Sequence, residues 1–149
     1  MTLDDWAFVL QCVTLVAVLL AAWQLLFHSR QMHRDFEALY VQRYWELMDR
    51  RSPEFVLHDD VLPSDRVVLR GYLQLCEDEI DLRRTARVTD STWLFWREAM
   101  LAQLREPAYR RELDEIDAER FPMLRMLEAQ GASLDPLSKR WLWRKLHGL

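Results

Sequence analysis

The chain has little that would interrupt a helix. Its 149 residues include only three glycines and five prolines. A β-sandwich or meander needs those residues at frequent turns, so their scarcity argues against a turn-rich β fold. Nor does any useful length alternate apolar and polar residues. Cysteine is scarce as well. Cys12 and Cys76 lie in segments of opposite character and no Cys/His spacing suits a metal, so neither a disulfide nor a metal centre is expected. The chain also lacks a phosphate-binding glycine loop, a nucleophile elbow and a zinc-protease motif, and no cofactor is expected. The most localised absence is of basic residues: none of the 20 Lys and Arg precedes Arg30.

That bare beginning is apolar. Trp6–Phe27, WAFVLQCVTLVAVLLAAWQLLF, is 22 residues without a charge. As a helix rising about 1.5 Å per residue it reaches about 33 Å, enough for a hydrocarbon core of about 30 Å. Trp6, Trp23 and Phe27 fall near its ends, where interfacial aromatics belong. The preceding residues are acidic, unlike the basic start of a signal peptide, so an uncleaved anchor is expected. Arg30, Arg34 and Arg43 follow the segment. The positive-inside rule therefore predicts an outward tail over residues 1–5, a transmembrane helix over 6–27 and a cytoplasmic remainder.

One face of this helix differs from the rest. Ala7, Gln11, Thr14, Val18, Ala21, Leu25 and His28 follow a 4-3-4-3-4-3 spacing. Small and polar residues in such a stripe let helices approach and exchange hydrogen bonds in lipid. Ala7, Gln11, Thr14, Ala21 and His28 are thus the candidate association residues, toward a second copy or another membrane protein. A lone anchor that tolerates Gln and Thr is the plainer reading.

Beyond the segment the pattern is helical throughout. Residues 28–51 keep helical spacing without Gly or Pro and extend the first helix until Ser52-Pro53. A link over 52–63 precedes a helix over about 65–87, with Ser64 as its cap. Thr89 is the expected cap of the next helix, with Val88 and Trp93 as a hydrophobic staple. Pro107 opens a further helix, Pro122 kinks or splits it, and Gly131 ends it. Residues 52–131 thus form a helical bundle. Residues 132–149 read as a basic helix in which Lys139, Arg140, Trp141, Trp143, Arg144 and Lys145 either meet an anionic membrane surface or pack on the bundle. The fold class is all-α, one transmembrane helix continuing into a bundle of four or five helices.

The run YLQLCEDEIDLRR at 72–84 is the densest chemistry. Successive helical residues turn by about 100°, so Glu77, Asp78, Glu79 and Asp81 cannot share one face. Pairs Glu79–Arg83 and Asp81–Arg84 account for charges without catalysis. Only Glu79 falls in an apolar row, where an arginine of another helix is the expected partner. Glu77 and Glu79 are therefore structural carboxylates first and candidate functional ones second. His58-Asp59-Asp60 reads as a solvated loop. His28 and His33, five apart, miss the spacing of two ligands on one helix face. Cys76 reads as core.

Taken together, the apolar N-terminal segment, YLQLCEDEIDLRR, TDSTWLFWREAM and REPAYR resemble a group of bacterial proteins with one membrane helix and a cytoplasmic helical domain of unknown function. The carriers are Tyr72, Cys76, Glu77, Glu79, Trp93, Trp96, Met100, Pro107 and Tyr109. The resemblance implies a bacterial membrane protein, for which the inner membrane is the expected location, and brings no catalytic residues; the Trp-rich tail lies outside it.

The expected function is a non-enzymatic, membrane-anchored interaction module whose partners are the bilayer and a second copy or another membrane protein. No nucleic acid is expected, since the part after Phe27 is net acidic, and no small-molecule substrate, since short helices leave little room for a deep pocket. The alternatives are an effector acting on the membrane, such as a small toxin or phage-exclusion protein, and an enzyme using Glu77 and Glu79.

Overall fold

The computed structural model describes residues 3–53, 55, 62–146 and 149. The first helix, α1, runs without a break from Leu3 to Met48. Its 46 residues extend about 69 Å. Within it, Trp6–Leu25 is long and apolar enough to cross a membrane, and none of that stretch is buried against the rest of the described chain. Burial begins at His33, whose Nδ1 lies 2.9 Å from the Arg87 carbonyl oxygen. The helix stops three residues before the expected Arg51. Asp49, Arg50 and Arg51 form a closing turn on the carbonyls of Trp45, Leu47 and Met48.

The second helix, α2 (Pro63–Arg84), is the axis of the bundle and packs against α1 and the three helices that follow it. Ser64 is not its cap. The helix starts one residue earlier, with Pro63 at the first helical position and Leu62 in the cap position without a side-chain bond. Proline's fixed φ is already helical, and its missing N–H costs nothing there. Asp65 instead reaches backwards: its carboxylate accepts from the Ser52 N–H and hydroxyl at 2.9 and 2.7 Å, closing the end of the link onto the helix. Along α2, Leu69, Tyr72, Leu73, Leu75, Cys76 and Ile80 are buried. Leu47 of α1 packs over Gly71, where a Cβ would sit 2.8 Å from Leu47 Cδ2 and push that side chain aside.

The chain leaves α2 through Ala86 in a left-handed conformation, φ 62°. Thr89 then caps α3 (Asp90–Gln103), accepting from Thr92 N–H, while Val88 and Trp93 are both buried as the staple requires. Pro107 opens α4 (Pro107–Glu115) and Pro122 opens α5 (Pro122–Gln130), so the second proline splits the expected helix rather than bending it. Gly131 closes α5 at φ 60° and begins a short 3₁₀ turn, Gly131–Ser133. The last helix, α6 (Trp141–Leu146), is shorter than the tail reading implied. Asp135-Pro136 keeps the preceding stretch out of the helical region. Leu73, Ile80, Val88, Leu113, Leu124 and Leu127 meet at the centre of the core, with Trp93, Met100 and Tyr109 filling it.

Candidate functional site

Each carboxylate of the 77–81 run has a separate environment. Asp81 pairs with Arg84 one turn on, as expected. Asp78 accepts from Gln74 at 2.9 Å. Glu77 does something the sequence did not disclose: it accepts from the backbone N–H groups of Met123 and Leu124 at 3.0 and 2.8 Å. Two free donors at the start of α5 are satisfied by a side chain on α2. Phe121, in the cap position of α5 at φ 61°, supplies no side-chain bond, so Glu77 is the cap in trans.

Glu79 is the exception. It is 8% exposed and makes no hydrogen bond or ion pair among the described residues. Its expected arginines go elsewhere. Arg83, 1% exposed, forks onto Asp135 with Nε and Nη2 at 2.9 and 2.8 Å, reaches Asp90 at 2.5 Å and donates to the Val88 carbonyl at 3.0 Å. Burial, with a lesser contribution from Asp78, pushes the Glu79 carboxyl up to about 8. At neutral pH it is mostly protonated.

Glu79 lines the wall of a cleft of about 450 Å³ between α1, α2 and α3. This is more room than the short helices implied, and it lies within the size range of small-ligand sites. From α1 come Tyr40, Val41, Tyr44 and Trp45; from α2, Tyr72 beside Glu79; from α3, Phe95, Trp96, Ala99, Met100 and Gln103. The rings pack edge-on or tilted: Tyr40 and Trp96 at 6.0 Å, Tyr44 and Tyr72 at 6.2 Å, Tyr44 and Trp45 at 5.3 Å. Trp45 and Phe95 are 60% and 73% exposed at the rim. The Arg43 guanidinium stands 5.2 Å above the Tyr40 ring. The aromatic density at 40–45 and 93–96 was the available signal; the sequence could not say that the two runs face each other.

Cys76 is fully buried behind this wall. Burial pushes its thiol well up, the reverse of what a nucleophile needs. Among the described residues no group of three His, Cys, Asp or Glu is placed to hold a metal ion. His58, Asp59 and Asp60 lie outside the described residues.

On α1 the stripe residues Ala7, Gln11, Thr14, Ala21 and His28 are all exposed. Thr14 already donates to the Leu10 carbonyl at 2.8 Å, within its own helix. At the other end, the basic tail divides. Lys139, Arg140, Trp141 and Lys145 are exposed, with Lys139 over the Trp143 ring and Lys145 over the Trp141 ring at 5.4 and 5.2 Å. Arg144 departs from the expected surface set. It turns to the bundle, binding Asp135 at 3.0 Å and the Leu137 carbonyl at 2.7 Å. The Asp135 carboxyl, raised by burial but lowered more by Arg83 and Arg144, ends below its usual range.

No protein-family model, curated protein or solved structure matches this chain.

Proposed function

We propose that the chain is a membrane-anchored helical interaction module that acts by binding rather than by catalysis. The observation carrying this reading is the continuity of α1, bare over Trp6–Leu25 and packed into the bundle from His33. His33 lies only eight positions beyond Leu25, about 12 Å of helix, so the start of an anchored bundle rests close beneath the headgroups. The charge pattern supports a bacterial inner membrane with the N-terminus outside and the bundle in the cytoplasm. The stripe of Ala7, Gln11, Thr14, Ala21 and His28 is the proposed contact with a second copy or another membrane protein. The densest acidic run supports a non-enzymatic role, since Glu77 and Asp81 are held in structural bonds.

The test is in-membrane photocrosslinking from Val18 of the full-length chain, with and without Ala21→Leu or Gln11→Leu. A captured copy or partner that both substitutions diminish supports the module. Unchanged crosslinking in both variants removes the stripe. Single cysteines near each terminus, labelled from either side of the membrane, test the orientation.

A further inference from the structure

The cleft at Glu79 has a composition that selects a class of ligand. Its walls carry aromatic side chains from three helices. Its one acidic residue, Glu79, is 8% exposed, lines the cleft and has no hydrogen-bond or ion-pair partner among the described residues. Aromatic faces carry negative potential and attract cations, most strongly where water is displaced. A buried carboxylate without a counter-ion is the matching anionic group. Arg43 already places a cation over Tyr40 at the margin of the site. The remaining lining is apolar, apart from Gln103 and the tyrosine hydroxyls. A small hydrated metal ion would lose its water there without replacement oxygens, whereas an alkyl- or aryl-substituted ammonium brings its own apolar coat.

We infer that the cleft between α1, α2 and α3 is a binding site for a soluble lipophilic organic cation, held by the rings of Tyr40, Tyr44, Trp45 and Trp96 and countered by Glu79. On the proposed membrane placement, on which this choice rests, the depth of the site favours a soluble cation over a lipid headgroup. Trp45 lies 20 residues beyond Leu25, about 30 Å along α1. A ligand entering here comes from the aqueous side, past the exposed Trp45 and Phe95.

The site also responds to pH. Burial, with some contribution from Asp78, keeps the Glu79 carboxyl protonated near neutrality. The titratable and charged groups around it are Asp78, Tyr72 and Cys76 on its own helix and Tyr40, Arg43 and Tyr44 on α1, while α3 presents only the neutral Gln103. Glu79 is the carboxyl that lines the cleft and gains charge as pH rises through about 8, so cation affinity rises over that interval.

The probe pair is benzyltrimethylammonium and its uncharged carbon isostere, neopentylbenzene, titrated calorimetrically into the full chain in detergent micelles. The cation is expected to bind and to tighten as pH is raised. At pH 9, where Glu79 is ionised, Glu79→Gln weakens it by about tenfold or more while leaving the isostere unchanged, and it is at this pH that the comparison is decisive. Trp45→Ala, at an exposed ring whose loss leaves the core intact, weakens the cation by about two- to fivefold. Arg43→Ala removes a competing charge and strengthens it. Equal affinity for cation and isostere, no binding of the cation, or a cation affinity indifferent to Glu79→Gln each overturns the inference. A protein captured from Phe95 together with no cation binding assigns the cleft to a macromolecular partner instead, and also overturns it.

Discussion

Replacing Glu79 with glutamine stabilises the protein, and the gain grows with pH. The unfolded carboxyl titrates near 4.3, whereas burial in the folded chain pushes it up to about 8. The folded state therefore holds its proton more tightly than the unfolded state. Below about pH 4 both are protonated and the group is neutral to stability. Between the two values the unfolded chain releases a proton that the folded chain keeps, so stability falls by about 1.4 kcal/mol per pH unit. Above about pH 8 both are ionised and the loss levels off near 5 kcal/mol. Glutamine has the shape of the protonated acid and cannot ionise. The gain from Glu79→Gln is thus about 1 kcal/mol at pH 5, about 3 to 4 at pH 7 and about 5 at pH 9. Urea unfolding of the full chain in micelles, at those three pH values for both proteins, reads it directly. A gain that is flat with pH, or a loss at pH 9, would refute the reasoning and mean that an unseen cation or water already satisfies the carboxylate.

Glu77→Ala removes both trans-cap bonds of α5 and is expected to cost about 2–4 kcal/mol; amide exchange at Met123 and Leu124 should rise with it, and an effect under about 0.5 kcal/mol would show that the cap is dispensable. Arg83→Met leaves the half-exposed Asp135 and Asp90 with Arg144 alone and should cost about 1–3 kcal/mol, part of which Asp135→Asn restores in the double variant. Because the Asp135 carboxyl is held below its usual range, its contribution is present above about pH 4 and is lost as pH falls further; acid unfolding of Asp135→Asn should lack that component. Induced expression at high level should leave membrane potential intact, and its collapse would favour a membrane-acting effector over an interaction module.

Local patterns in the sequence translated well into elements. The all-α class, the long first helix, the Thr89 cap with its Val88–Trp93 staple and the helix start at Pro107 each depend on neighbouring residues, and each is present; of the kink or split open at Pro122, the split is what occurs. The start of α2 differed because a proline one residue earlier is a stronger signal than Ser64. Partner choice was not legible. Helical spacing makes Glu79–Arg83 a natural pair, yet Asp135, 52 residues beyond Arg83, wins the guanidinium with two parallel bonds. Glu77 likewise meets α5 across 46 and 47 positions, and the same long-range packing brings Trp45 opposite Phe95. Such contacts arise from the order in which helices pack on α2, which no local spacing encodes.

Continuity of α1 turns angular position into a transmitted quantity. No hinge lies between Leu25 and His33, so the azimuth of the stripe around the helix axis is locked to the azimuth of Tyr40 and Tyr44. One alanine inserted after Gln31 would turn the stripe by about 100° relative to the cleft while leaving both ends intact, and seven would bring it back to within about 20°. A partner gripping the stripe would therefore hold the cleft in a fixed compass direction about the helix axis. Twisting the helix at one end would register at the other as a change in which neighbour the cleft faces.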